Sequence, residues 1–348
     1  MRYRIGIRVI ALLLGFVLLA AGLTLPQRGN AQVGTSLRFY GNGVNDIDRV
    51  KIPLGNPSRP VNVGGDFTLE FWLKADANNQ GQATCGANDG WITGNILIDR
   101  DIYNALENGD YGVSLHRSGN TRRIAFGVSN ANGGTTLCGN INVADGAWHH
   151  VAVTRNAGTG QLRIFVDGLL DVQGTGPTGD ISYQVGRATG YPNSDPFLVF
   201  GAEKHDAGTL YPSFSGWLDD VRLSNIIRYT GNFTRPSAPL TADANTVALY
   251  SLDGGPGNCT TGTVIADSSG ASGGPSHGEC RFGGSPAGPV WSSDTPFSGT
   301  PAPTWTPPPT PTPSRTPTRT PTRTPTPSAT PFVCVPHCRH LFLPLVRR

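Results

Sequence analysis

The stretch AWHHVAVTRNAGTGQLRIFVDG, Ala147–Gly168, reads as two strands joined by a glycine-rich turn and closed by a second turn at Asp167-Gly168. In the first strand Val151 and Val153 alternate with Ala152 and Thr154. In the second, Leu162, Ile164 and Val166 alternate with Arg163, Phe165 and Asp167. A period of two marks a strand whose faces meet different environments. Asp-Gly after such a run favours a type I′ turn, whose central residues both need positive φ. Leu169–Val172 then supplies the returning strand.

The same alternation recurs outward from this hairpin. In DFTLEFWLKA, Asp66–Ala75, Phe67, Leu69, Phe71 and Leu73 share one face, and Thr68, Glu70, Trp72 and Lys74 share the other, where Glu70 is expected to be solvated. Further strands are expected at Ile96–Ile98, Tyr111–Leu115, Ile124–Val128, Phe197–Gly201 and Phe214–Leu223. Many short runs between Gly, Asn and Asp clusters suit an all-β sandwich. Three long loops interrupt them, Asp76–Gly94, Asn130–Asp145 and Gly174–Pro196.

These strands carry a family resemblance. Trp-His-His-Val-Ala followed by a strand ending in Val-Asp-Gly resembles the centre of the LamG-like jelly rolls, in the concanavalin A-like lectin/glucanase superfamily. SLRFYGNGVNDIDRVKI, Ser36–Ile52, is similar to the family's opening motif, an aromatic-x-Gly turn followed by Asp. FSGWLDDVRLSNIIRYTGNFTRP, Phe214–Pro236, resembles its closing motif. The resemblance implies a two-sheet antiparallel jelly-roll sandwich over residues 33–298. VALYSLDGG, ADSSG and VWSSDTPF look like the family's edge material, so Thr246–Phe297 is expected in the same sandwich; neighbouring termini tolerate such rearrangement. Relatives often hold a structural calcium ion through Asp side chains and carbonyls. The matching positions are Asp46, Asp219 and Asp220, which with carbonyls and water could supply the six to eight oxygens calcium needs.

The termini differ in composition from the middle. Residues 1–31 read as a secretory signal, with an uncleaved anchor as the alternative, since the apolar run is about 17 residues. Residues 299–331 form a Pro/Thr repeat suited to an extended polyproline II spacer. Residues 332–348 form a basic tail whose apolar run is too short to span a bilayer, so the mature protein is expected not to be membrane-spanning. The chain's net charge of +3 hides an asymmetry: residues 33–298 hold all 24 acidic residues against 17 basic ones, a net of −7. An acidic domain repels phosphate backbones, which argues against a nucleic-acid partner.

Six cysteines in an exported chain imply oxidation, with 15 formal connectivities. Pairing of sequence neighbours is expected: Cys85 with Cys138, Cys259 with Cys280, and Cys334 with Cys338. A zinc site at Cys334, His337, Cys338 and His340 is the alternative in the tail. The four Glu residues, Glu70, Glu107, Glu203 and Glu279, do not form the Glu-x-Asp-x-x-Glu strand of the superfamily's glucanases. His149 and His150 are expected to pack within the sheet, and no nucleophile, base and orienter stand together.

Sugar binding needs exposed aromatic faces beside hydrogen-bonding side chains. The loop residues that offer these are Trp91, Tyr103, Tyr191 and Tyr211, with Asn193, Asp195 and Asp206, while Trp148, Trp217 and Trp291 are expected in the core. The reading is a non-catalytic, secreted or cell-surface module that binds an extracellular glycan. A structural or protein-binding module of the cell envelope is the alternative, and a glycoside hydrolase the third choice.

Overall fold

The computed structural model describes residues 34–102 and 109–297. The expected leader, Pro/Thr spacer, tail cysteines Cys334 and Cys338, and Tyr103 lie outside the described residues.

The strands in chain order are β1 Ser36–Tyr40, β2 Arg49–Pro53, β3 Phe67–Ala75, β4 Asn95–Asp99, β5 Asp110–Ser118, β6 Thr121–Asn130 and β7 Gly133–Cys138. They continue as β8 His149–Arg155, β9 Gln161–Val166, β10 Leu169–Thr175, β11 Phe197–Phe200, β12 Ser215–Ser224 and β13 Thr246–Tyr250. Short strands close the described chain: β14 Gly257–Asn258, β15 Val264–Ile265, β16 Gly278–Arg281, β17 Gly283–Gly284, β18 Ala287–Gly288 and β19 Val290–Ser292. One sheet has the order β10-β9-β8-β3-β12-β1-β19-β14, with β13 also on β12; the other runs β15-β16-β2-β11-β4-β5-β6-β7. Their strands pair antiparallel, giving the jelly-roll sandwich. The segment from Thr246 onward feeds both sheets, through β13 on β12, β16 on β2 and β19 on β1.

The alternation of β3 sets the core. Phe67, Leu69, Phe71 and Leu73 meet Phe126, Val128, Leu198 and Phe200 of the other sheet in one apolar cluster. Asp167 (φ 51°) and Gly168 (φ 80°) form the expected positive-φ turn between β9 and β10. Disulfides join Cys85 to Cys138 and Cys259 to Cys280, as expected from sequence proximity.

The opposite face of β3 departs from expectation. Glu70 is fully buried rather than solvated. The chain after β12 returns across this face and lays Tyr229 and Phe233, stacked at 3.6 Å, against Phe165 and His150. Glu70 sits beneath them, accepting hydrogen bonds from Arg222 Nε (2.9 Å) and Nη2 (2.7 Å) and from Tyr229 Oη (2.8 Å), with His150 Nε2 at 3.2 Å. Trp217 also departs from the core. It is half-buried, with the Arg38 guanidinium 4.1 Å and the Lys74 ammonium 5.3 Å from its ring centroids. Trp291 is likewise only partly buried, packed against the core.

Candidate functional site

The β1–β2 loop starts the site. Asp48 is buried and its Oδ2 accepts the backbone N–H groups of Tyr40 (2.8 Å) and Asn42 (2.9 Å), folding residues 41–48 into a tight turn. Asn45, Asp46 and Asp48 all adopt positive φ, which Asn and Asp tolerate better than other side chains. Burial pushes the Asp48 carboxyl up to about 6 against those hydrogen bonds. Arg49, also buried, reaches from β2 to donate to the carbonyls of Glu203 (2.8 Å) and Gly43.

A charged cluster joins this loop to two others. His205 Nε2 lies 2.6 Å from Asp195 Oδ1, and its Nδ1 lies 3.0 Å from Glu203 Oε1 and 3.3 Å from Asp101 Oδ2. Burial disfavours the imidazolium, but these three carboxylates outweigh it and push the His205 pKa up to about 11. Glu203 also accepts the backbone N–H groups of His205 and Asp206. Burial raises the Glu203 and Asp195 carboxyls, yet contacts led by His205 hold both below their ordinary range. Lys204 is buried and donates to the carbonyls of Asp195 (2.9 Å) and Phe197 (3.2 Å). Beneath it, Asp99 accepts the N–H groups of Asp101 and Lys204, and its carboxyl is raised to about 7 by burial and by Glu203 and Asp101.

Over this cluster opens a depression of about 480 Å³ lined by Asp46, Lys51, Asn193, Lys204, His205 and Asp206, among others. Tyr191, 40% exposed, stands edge-on to His205 at 5.2 Å between ring centroids. The structure therefore brings Tyr191, Asn193, Asp195 and Asp206 together. Asp195, however, is wholly buried and spent on His205 and Thr189, so it supports the site from beneath instead of meeting a ligand. A neighbouring cavity of about 620 Å³, which the sequence reading missed, shares Val44 with the first. Its lining includes Tyr40, Asn78, Gln80, Thr209 and Pro212. Tyr211, half-buried, lies next to Pro212 in the chain but is not among the lining residues.

Trp91 is a correction. It is 0% exposed, held in the short 3-10 turn Gly90–Thr93. Gly112 of β5 and Gly127 of β6 are register partners, and the Trp91 ring occupies the space that their missing side chains leave. The expected calcium set also divides. Asp46 has Lys51 Nζ at 3.2 Å, Arg49 Nη1 at 3.6 Å and Arg281 Nε at 3.8 Å, so cations already neutralise it.

Asp219 and Asp220 lie in the irregularity of β12, where pairing with β3 skips between Asp219 and Arg222 and Asp220 takes φ 46°. Both are buried. Burial, Asp220 and Asp253 push the Asp219 carboxyl up to about 9, and burial raises Asp220 to about 6, opposed by the Leu240 N–H bond. The two carboxylates are hard oxygen donors of the kind calcium takes, and Asp253 lies near enough to raise both, but the three do not bring their oxygens within 4.8 Å of one another. Among the described residues, the donor atoms of Asp101, Glu203 and His205 do lie within 4.8 Å of one another. Cys85, Cys138 and His116 converge too, but both sulfurs are held in the disulfide.

The model of the Laminin_G_3 family, of the concanavalin A-like lectin/glucanases superfamily, matches residues 48–228, more than half of the chain. The chain belongs to this family. No curated protein matches it. Among solved structures, a candidate carbohydrate-binding protein from Bacteroides ovatus is 18% identical, with a TM-score of 0.44, over 71% of this chain and 58% of that one. A pentraxin of Limulus polyphemus is 16% identical (TM-score 0.38, 57% of this chain and 78% of that one). Domains LG4-5 of the mouse laminin alpha1 chain are 14% identical (TM-score 0.34, 65% and 50%). The chain thus spans little more than half of the Bacteroides protein, and none of these likenesses bears on the ligand. Among the described residues no helix is long and apolar enough to cross a membrane.

Proposed function

We propose that this protein is a secreted, non-catalytic module that binds carbohydrate at the loop face built from residues 41–48, 186–196 and 201–213. The observation that carries this reading is the convergence of Tyr191, Asn193 and Asp206, all exposed, above a charged cluster that fixes their loops. An aromatic side chain beside amide and carboxylate groups suits the mixed apolar and hydroxyl surface of a sugar. The two disulfides fit an oxidising, extracellular setting. A non-catalytic role is supported by the use of Asp101, Asp195 and Glu203 on one imidazolium and on backbone N–H groups, which occupies the carboxylates that acid/base work would need free.

Calcium belongs to the proposal at Asp219 and Asp220, with Asp253 near enough to raise both carboxyls. When bound, the cation would supply the positive charge these acids lack and so hold the β12 irregularity. The test is a titration of the full chain across a glycan array, with calcium and with chelator. Selective binding that Tyr191→Ala weakens supports the module. A folded protein that binds no glycan in either condition sinks the carbohydrate reading and favours a protein-binding role.

A further inference from the structure

The second cavity differs in kind from the depression beside it. Among the described residues, no charged side chain lines it. The Arg38 guanidinium, 4.6 Å from the Tyr40 ring centroid, is paired with Asp76 (Nη2 to Oδ2, 2.5 Å), whose carboxylate also accepts the Ser215 hydroxyl at 2.7 Å. Its floor is rigid. Asn79 donates to the carbonyls of Asp76 and Ser215 (both 2.7 Å) and accepts from Ser215 N (2.9 Å). Asn95 accepts from Gly81 N (2.6 Å) and donates to Ser213 O (2.8 Å). The floor's amides are therefore committed to backbone, Asn79 with both of its N–H groups and Asn95 with one.

The rim is the opposite. Asn78, Gln80 and Thr209 are exposed and Tyr40 is half-buried. Within the described residues, their side chains make no hydrogen bond shorter than the 3.4 Å contact from Gln80 to Ala77 O. Two amides and two hydroxyls can each both donate and accept. Val44, 47% exposed, and Pro212 add apolar surface at the same opening.

We propose that this cavity is the specificity subsite for an uncharged sugar residue of the glycan; the inference rests on the carbohydrate reading above. A charged ligand would bury its ion with no counter-charge in the wall, which is costly. A purely apolar ligand would strip water from four polar rim groups and give nothing back. A neutral sugar satisfies both conditions, because each of its hydroxyls, like each rim group, both donates and accepts. At about 620 Å³ the cavity falls within the size range of ligand sites, roughly 300–1,000 Å³, and leaves room for more than one ring.

The test compares neutral and anionic oligosaccharides on one array, followed by calorimetry of the best neutral binder in low and high salt. Asn78→Ala/Gln80→Ala removes two exposed rim amides and leaves the hydrogen-bonded floor intact, so thermal unfolding should match the parent chain. The expected result is neutral-glycan binding, insensitive to salt, that weakens about tenfold or more in the double variant. Tyr40→Phe should weaken the same ligand with no change in fold. Neutral-glycan binding lost in Tyr191→Ala but unchanged in the rim variants would overturn the subsite while leaving the carbohydrate reading in place. Binding of anionic glycans alone, weakened by salt, would do the same. Binding of no glycan, or of peptides only, would overturn both.

Discussion

Glu70→Ala tests whether the outer face of β3 is a buried interface or a solvated surface. Glu70 has no exposed side-chain area, and Arg222 reaches it twice while Tyr229 donates to its other oxygen. Removing one partner of a buried ion pair typically costs about 3–5 kcal/mol, because the remaining charge is left without compensation. Arg222 and Arg228 keep 11% and 13% side-chain exposure. Their guanidinium groups can partly rehydrate, which points to the lower end, about 3 kcal/mol. For a domain of this size that lowers the melting temperature by roughly 6–12 °C. The assay is urea unfolding monitored by tryptophan fluorescence, with Glu70→Leu/Arg222→Leu as the companion. Replacing both ions with apolar groups should recover most of the loss. The direction with pH follows from the same contacts. Burial raises the Glu70 carboxyl, but His150 and Arg222 hold it below the ordinary range. A depressed folded pKa contributes stability that is present above the unfolded value, about 4.3, and is lost as pH falls through the folded value. Glu70→Gln should therefore flatten the acid limb of the stability curve. A Glu70→Ala cost within about 0.5 kcal/mol, the behaviour of a surface position, would refute the buried network.

Four further outcomes follow. Gly127→Ala should cost about 1–3 kcal/mol in denaturant unfolding, because the new Cβ would lie 1.9 Å from Trp91 Cε3; a neutral effect would mean that Trp91 is not seated there. Reducing Cys85–Cys138, which spans 53 residues, should cost up to about 4 kcal/mol, and Cys259–Cys280, spanning 21, up to about 3, read from melts of Cys→Ser pairs. In chelator, the raised Asp219 carboxyl contributes stability that is full below its unfolded pKa and is lost as pH rises toward about 9. Asp219→Asn should therefore be more stable than the parent near neutral pH. Calcium should raise the parent's melting temperature and leave Asp219→Asn unmoved; an equal rise in both would remove Asp219 from the site.

Alternation exposed the core-facing side of β3 and β9 because burial on one face imposes a period of two whatever lies on the other. It said nothing of what covers the second face. Glu70 is buried by Tyr229 and Phe233, more than 150 residues further along, and no local pattern encodes that return. Trp91 shows a different limit. As a loop aromatic it resembled a ligand platform, yet the signal for its burial was present in Gly112 and Gly127. Glycine inside a strand often marks a close approach, and two facing one another leave a slot wide enough for an indole. The two disulfides of the described residues, Cys85–Cys138 and Cys259–Cys280, are readable from proximity along the chain. The charged cluster is half readable: Asp195 and Asp206 stand in the sequence as polar partners for a ligand, but His205, Glu203 and Asp101 do not, since only folding sets them within hydrogen-bonding distance.

That cluster explains how a loop face can be both exact in shape and free to vary in contact. Arg49 spends its guanidinium on carbonyls of residues 43 and 203, and Lys204 spends its ammonium on carbonyls of residues 195 and 197. His205 ties the 195 region to residues 101 and 203. The ions thus hold three separate loops through groups that the folded chain already satisfies. Buried ion pairs gain little net stability, so their value here lies in position. The Asn193 side chain at this face, and Asn78 and Gln80 at the neighbouring cavity, are exposed and make no hydrogen bond shorter than 3.4 Å among the described residues. Substituting those three should change what is bound with little change in stability, whereas substituting Arg49, Lys204 or His205 should unseat the loops around residues 43, 101, 195 and 203. On the proposed carbohydrate reading, stability and recognition are therefore separable on this face.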